Sequence, residues 1–326
     1  MSFIIDKQTM DDLNIFGKQG KNSVFSIYNH TSTRGGAILL EEMFRYPLDN
    51  FESIKKRQDI IQYFYHKRTE FPFEGAVFDA VAYYLHNTDT RTRIDAHDDK
   101  LRKRFQRLMK TDTEFQMIHK SILGLIYIIN TLHDFFEDME DDERILPEMP
   151  EMEEVKHIIS DERLRFVKEE RETKKLSLEK AGRYDNELRY ASNKEMHKIL
   201  SFIYQLDIYI SLAHVAREKE FSFADVQPSD CNILKIDRLF HPLLADPVAN
   251  TIEVTPQSNV IFLTGANMAG KSTFMKSFGI AVYLAHLGFP VPAREMTFSV
   301  RSGMYTTINL PDNLNQGYSH FYAEVL

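Results

Sequence analysis

Residues Gly265, Ala266, Asn267, Met268, Ala269, Gly270, Lys271, Ser272 and Thr273 place two glycines ahead of a lysine and two hydroxyls, a spacing that suits a phosphate group. Glycine at 265 and 270 lets the main chain approach phosphate oxygens that a Cβ would hold off. Successive backbone N–H groups, with the positive end of a helix opening there, converge on an anion. Lys271 would reach the β- and γ-phosphates, and the Ser272 hydroxyl would take a Mg²⁺ position. The chemistry implied is that of a cradle for a nucleoside triphosphate.

A cradle of this kind needs a strand to deliver the loop and a helix to leave it. The run Val260-Ile-Phe-Leu-Thr264 is short, apolar and β-branched, and predicts a buried parallel strand. From Lys271 to about Leu287, Phe274, Met275, Phe278, Val282 and Ala285 recur at helical spacing and predict the helix.

The 326 residues provide length for two domains or more. A hydrophobic share of 43% and the lack of a low-complexity tract are those of a soluble globular protein. Cys231 is the single cysteine, so an internal disulfide is excluded and a reducing, cytoplasmic setting is expected. Met-Ser-Phe-Ile-Ile-Asp at the start lacks the basic and apolar regions of a signal peptide. The run Ile122 to Leu132 reads as the most apolar and is about half the length a bilayer requires, so no membrane partner is expected. A net charge of −8 argues against indiscriminate nucleic-acid affinity; any DNA contact must use a local patch.

Residues 1 to about 96 read as short helices and turns. Asp49-Asn-Phe-Glu52 resembles a helix cap feeding Ile54, Gln58, Ile61 and Phe64 on one face. From about 98 to 139, Leu101, Phe105, Leu108, Phe115, Ile118, Ile122, Leu125, Ile129, Leu132 and Phe136 predict one very long helix, roughly 60 Å in extent. Pro147 and Pro150 interrupt, then residues 151–180 predict a charged second helix. Residues 186–220 predict a third, with Leu188, Met196, Ile199, Ile203, Leu206, Ile210 and Val215 inward. Past Phe221 the pattern turns to short strand-like runs with turn prolines, placing a second domain at 226–326 after a helical domain at 1–225.

Charge is polarised along the long helices. Lys100, Arg102, Lys103, Arg104, Arg107 and Lys110 form a basic cluster; Asp134, Glu137, Asp138, Glu140, Asp141, Asp142 and Glu143 form an acidic one. The basic cluster reads either as a DNA-backbone contact or as a solvated face pairing with the acidic one. Phe135 beside Glu137 reads as core packing, and His241-Pro242, with no second ligand at usable spacing, as a turn.

The segment Thr264 to Phe274 resembles the phosphate loop of the MutS family of DNA mismatch-repair ATPases. Gly288-Phe-Pro-Val-Pro-Ala293 is similar to that family's G-x-x-V-P-A segment. Asp312-Asn-Leu314, Gly317-Tyr-Ser-His-Phe321 and Glu324 resemble its signature region. His241-Pro242 and Val248-Ala-Asn250 resemble landmarks at the entrance to its ATPase domain. Gln205-Leu-Asp207 with Leu212-Ala213 resembles the end of its lever helix. Thr33-Arg34-Gly35-Gly36, Leu39-Leu40 and Pro47-Leu48 resemble the start of its core. The resemblance covers nearly the whole chain.

It implies a mixed fold: an all-α core with long lever helices, followed by a partial α/β P-loop ATPase domain of the ABC type. Two ATPase domains would pair as a homodimer, with ATP and Mg²⁺ held by Lys271 and Ser272 and Asn267 against the phosphates. Ser319 would approach the γ-phosphate bound by the partner. ATP binding would drive dimerisation and lever movement on DNA. Departures from the family pattern are also expected to matter. The chain begins at the core, without the mismatch-reading domain, so mismatched or branched DNA are both open as substrates. Little room remains for a clamp between Pro150 and Asn186. Ala266 replaces the usual proline, Pro247 stands where an adenine-stacking aromatic is common, Asn309 replaces glycine, and Tyr318 and His320 alter the signature. No apolar strand ending in an acidic pair follows the signature, so the sequence predicts poor nucleotide binding and almost no hydrolysis, and either a piece of a longer ATPase, the favoured reading, or a naturally incomplete one. A nucleotide-dependent dimeric scaffold for a protein partner remains the alternative.

Overall fold

The computed structural model describes residues 3–17, 22–89, 92–94, 113–139 and 149–308. In chain order the elements are β1 (Ile4–Ile5), α1 (Lys7–Asp12), α2 (Val24–Tyr28), α3 (Arg34–Arg45), α4 (Phe51–Lys67), α5 (Ala76–His86), α6 (Thr113–Glu137), α7 (Pro150–Ile159), α8 (Phe166–Glu169) and α9 (Leu178–Asp185). Then follow a π-helical turn (Asn186–Ala191), α10 (Asn193–Glu218), β2 (Asp225–Gln227), β3 (Leu234–Leu239), β4 (Asn250–Val254), α11 (Lys271–His286), β5 (Glu295–Ser299) and β6 (Gly303–Met304). Among the described residues helices dominate, with two small sheets.

Packing gathers these into two compact units. One comprises Met1–His30, Glu41–His66 and Leu212–Leu326; the other comprises Thr31–Leu40 and Lys67–Ser211. Neither is a continuous stretch, so packing and chain order divide the molecule differently.

In the first unit, β5 runs between β2, which is parallel to it, and β3, which is antiparallel; β3 also pairs antiparallel with β4. β1 pairs separately and in parallel with β6. Residues Gly279 to Pro290, at the end of α11 and just beyond, are buried throughout. Tyr28, Phe44 and Phe289 pack ring against ring beside it, and the Tyr28 hydroxyl donates to the Pro290 carbonyl at 2.7 Å. Asn50 caps α4 by accepting from the Ser53 N–H at 2.8 Å. The face of α4 read from the sequence, Ile54, Gln58, Ile61 and Phe64, is buried.

In the second unit, α6 buries Ile118, Ile122, Leu125, Ile129, Leu132 and Phe136, as the periodicity predicts. The stretch from about 98 to 112, with the basic cluster Lys100, Arg102, Lys103, Arg104, Arg107 and Lys110, lies outside the described residues. The described helix starts at Thr113 and its 25 residues span roughly 38 Å. The inward set Leu188, Met196, Ile199, Ile203 and Leu206 is buried too. α10 is long and apolar enough to cross a membrane, and 78% of its apolar window is buried inside the protein, as in a core helix. It is thus a longer apolar stretch than Ile122–Leu132.

One continuous helix over 151–180 is not what forms. The chain breaks there into α7, a short 3₁₀ turn (Glu162–Leu164) and α8, with α9 beginning only at Leu178. Asp161 accepts from the Arg163 N–H at 2.9 Å and Ser177 from the Lys180 N–H at 3.3 Å, so each offers the backbone a fresh helix start. Phe166 and Tyr184 stack at 4.0 Å, an interaction the turn between their helices makes possible.

The π-helical turn holds a buried ion pair, Arg189 to Asp185 at 2.7 Å, with both side chains excluded from solvent. The guanidinium also donates to the Thr92 hydroxyl and carbonyl at 3.0 Å, and the carboxylate accepts from the Tyr84 hydroxyl at 2.9 Å. At the start of α3, Asp207 accepts from the Ser32 N–H (2.9 Å), the Thr33 N–H (2.8 Å) and the Thr33 hydroxyl (2.6 Å). Burial raises the Asp207 carboxyl above its ordinary range, against these hydrogen bonds. A Cβ on Gly35 would overlap the Tyr204 ring, which explains glycine in Thr33-Arg34-Gly35-Gly36.

Candidate functional site: the phosphate loop and its cavity

Gly270 is where the loop becomes a helix. It takes φ 89° as the N-cap of α11, and nothing lies within 4 Å of where a Cβ would sit, so conformation and not space requires glycine. Met268 also holds a positive φ, 65°, and its side chain is fully in solvent. The helix starts at Lys271, the residue at which the sequence predicts it, and so aims its first unpaired N–H groups at the loop.

The lysine is folded back over the loop. Its Nζ donates to the Gly265 and Ala266 carbonyls at 2.7 Å each, and the Ala269 N–H donates to the Ala266 carbonyl at 3.2 Å. Lys271 thus lies across the loop it would serve, and phosphate oxygens would compete with those carbonyls for its protons. Ser272 follows on the exposed side of the first turn, where its hydroxyl is open to a ligand.

A cavity of about 620 Å³ lies beside the loop, within the general range of small-ligand sites. Thr264, Ala269, Gly270, Lys271 and Thr273 of the loop and first helical turn are among its lining residues, with His241, Leu244, Asp246, Pro247, Val248, Asn250 and Thr251. His241 sits in a turn closed by the Leu244 N–H donating to its carbonyl at 3.2 Å, and its Nδ1 accepts from the Leu243 N–H at 3.3 Å. Burial, then the nearby Lys276 charge, depresses its pKa and keeps the ring neutral at pH 7. The His241-Pro242 turn read from the sequence is therefore also a wall of the cavity. Its partners in that wall come from the β3–β4 connection and β4 itself, which only folding brings to the loop.

The run Val260–Thr264 does not form the buried strand its composition predicts. Among the described residues no strand pairs with it, and Val260 and Phe262 are 85% and 89% exposed. Strand composition stabilises a strand only against cross-strand neighbours, and the four-stranded sheet offers none here. Gly265, Ala266, Asn267, Met268, Ala269, Gly270, Lys271, Ser272 and Thr273 nonetheless come together in one loop and first helical turn. Ser319 and the rest of the signature-like stretch lie outside the described residues.

Two family models match the chain: MutS domain III over residues 8–213 and MutS domain V over residues 261–326. The first alone covers more than half of the sequence. The chain belongs to the MutS family. Among its curated relatives, MutS protein homolog 4 of Mus musculus is 31% identical over 135 residues, covering 40% of this chain and 14% of the relative. The DNA mismatch repair protein MutS of Chlamydia muridarum is 36% identical over 130 residues, 38% of this chain and 16% of the relative. That of Chlamydia trachomatis serovar D is 33% identical over 135 residues, 39% and 16% respectively. The matched part of this MutS-family chain therefore spans about one-seventh of those relatives' length. The loop at residues 265–273 falls in the domain V match, and the buried Asp207 cap and the Asp185–Arg189 pair fall in the domain III match.

Proposed function

We propose that this chain belongs to a DNA-acting ATPase of mismatch repair or recombination, and that residues 265–273 bind ATP with Mg²⁺. The observation that carries the proposal is the Gly270-capped start of α11 beside a cavity of small-ligand size, with Lys271 and Ser272 in its first turn. The donor set fits the group: a flexible ammonium, a hydroxyl and the free N–H groups of a helix start all favour a Mg²⁺-bound triphosphate. Bound Mg²⁺ would supply charge neutralisation between phosphate oxygens. In this reading Lys271 leaves the Gly265 and Ala266 carbonyls for the β/γ-phosphates, Asn267 lies against them, and Ser272 holds the metal. Ser319 of a second copy would face the γ-phosphate, making pairing of the ATPase segments depend on nucleotide.

DNA, mismatched or branched, is the proposed macromolecular partner, a reading supported by family membership and by what the names of the relatives state. A cytoplasmic setting accords with the single cysteine. Sedimentation with and without MgATP tests the central step. The unsubstituted protein should self-associate with MgATP, and Lys271→Ala should abolish that response while leaving the melting temperature unchanged. MgATP-dependent association of the Lys271→Ala variant would sink the assignment.

A further inference from the structure

The side of the cavity supplied by the β3–β4 connection holds a donor that the fold leaves unused. Its other polar side chains are engaged within the protein. The Thr251 hydroxyl donates to the Asp237 carboxylate at 2.8 Å, and the Asn250 amide donates to the Val248 carbonyl at 3.0 Å. On the α11 side, Ser277 turns its hydroxyl back to the Thr273 carbonyl at 2.8 Å. His241 differs. Its Nδ1 accepts from the Leu243 N–H at 3.3 Å, which in a neutral ring leaves the proton on Nε2. That Nε2–H meets no acceptor among the described residues, although the residue is half-buried and lines the cavity.

The backbone on both sides of His241 is tied. The Leu244 N–H closes a turn on the His241 carbonyl at 3.2 Å, and the Phe240 N–H donates to the Pro292 carbonyl at 3.0 Å. The charge acting on the ring is positive: Lys276 of α11 lies close enough to disfavour its protonation. Lys276 has no ion-pair partner among the described residues. Lys271 of α11 and Asp246 of the connection are the other charged groups lining the cavity. β4 lines it with the neutral Asn250 and Thr251, and the segment 288–293 tied to Phe240 is uncharged. A donor without an acceptor, beside ammonium groups and the N–H groups that open α11, suits an oxygen that arrives carrying negative charge.

We infer that His241 is a nucleotide-binding residue whose Nε2–H donates to a phosphate oxygen of the bound nucleotide, and that binding is accompanied by uptake of a proton on its ring. The inference rests on the nucleotide-site reading above and adds to it a ligand-contacting residue and a pH response. Burial and Lys276 favour the neutral ring, whereas phosphate charge beside Nε2 favours the imidazolium. Protonation gives up the Leu243 contact, since Nδ1 then carries a hydrogen and no longer accepts; at 3.3 Å that contact is long. A ligand that raises a group's pKa binds more tightly as pH falls through the interval between the free and bound values. The free value lies below 6.5 and the bound value above it, so affinity rises as pH is lowered from about 8 towards 6.5.

The test is calorimetry of MgATP binding at saturating Mg²⁺, which keeps the terminal phosphate of the nucleotide ionised over this range. Titrations in two buffers of different ionisation enthalpy count the protons taken up. The proteins compared are the unsubstituted chain, His241→Asn and His241→Gln. Asparagine keeps an oxygen for the Leu243 N–H and places nothing at Nε2; glutamine reaches towards Nε2 with an amide N–H that does not titrate. The unsubstituted chain should take up a fraction of a proton at pH 7 and bind several-fold more tightly at pH 6.5 than at pH 8. His241→Asn should bind about tenfold more weakly at pH 7, and His241→Gln should recover most of that affinity. Neither variant should take up the proton or keep the pH response. Uptake by the unsubstituted chain needs no substitution: its presence supports the inference, and its absence overturns it, whether or not the variants fold. Folded variants that retain the uptake and the pH response overturn it as well, and leave His241 a packing residue of the wall. Failure of the unsubstituted chain to bind MgATP at any of these pH values overturns the nucleotide-site reading itself, and this inference with it.

Discussion

His286 illustrates how single side chains set the conditions under which the first unit is stable. It is buried between the Phe3 and Phe298 rings, its Nδ1 lies 2.9 Å from the Leu48 carbonyl, and its Nε2 is 3.4 Å from the Arg301 N–H. These partners suit one neutral tautomer, which donates from Nδ1 and accepts at Nε2. Burial lowers its pKa from 6.5 to about 4. A histidine depressed in the folded state binds its proton more readily when unfolded, so stability is lost as pH falls from about 6.5 towards 4. The whole shift amounts to about 3 kcal/mol. Urea titrations at pH 7 and pH 4.5 should show that loss, and His286→Gln should remove most of the difference between the two. An unchanged difference in the variant would assign the pH dependence elsewhere. The composition marks no such role, because a lone histidine on an apolar helix reads the same whether it is exposed or enclosed.

At the scale of elements, periodicity was informative where one face of a regular helix is buried. The apolar sets of α4, α6 and α10 are buried as their spacing predicts, since a 3.6-residue period is a local property. Local signals were insufficient where geometry depends on distant partners. The run Val260–Thr264 has strand composition, but among the described residues no strand lies beside it. The charged segment 151–180 carries capping residues, Asp161 and Ser177, that compete with helix continuation. The π-helical turn is a third case: its Arg189–Asp185 pair has an i,i+4 spacing that reads as a solvated helix pair, whereas its burial depends on Asn87 and Thr92, about 100 positions away. Arg189→Met would strand the Asp185 charge in the interior and should cost about 3–5 kcal/mol in a denaturant melt. The double substitution Arg189→Met with Asp185→Asn should recover much of that loss. Equal stability of the single variant and the original would show that the pair is solvated in solution.

For the whole molecule, residues 265–273 stand out as a candidate cradle because they are contiguous, whereas His241-Pro242, Pro247 and Val248-Ala-Asn250 are marked as landmarks only through the family resemblance and not as walls of one cavity. Leu244, Val248, Asn250 and Thr251 reach the site through the β3–β4 antiparallel pairing, and Thr9 and Asp12 reach residues 306–308 from nearly 300 positions away. The MutS domain III and V matches link these parts to one family. Net charge is −8, so DNA binding by such a chain must be local. If the basic cluster is that patch, charge reversal at Arg102, Arg104 and Arg107 should weaken DNA binding at low salt at least tenfold and reduce the salt slope by about two to three. An unchanged salt dependence would exclude DNA contact through this cluster and favour the protein-partner scaffold.

The most direct measurement is the calorimetric affinity for MgATP of the unsubstituted protein beside Lys271→Ala and Ser272→Ala. The account predicts saturable one-site binding that Lys271→Ala weakens at least a hundredfold, and that Ser272→Ala weakens only when Mg²⁺ is present. Equal affinity in all three proteins would contradict the assignment of residues 265–273 as the triphosphate cradle.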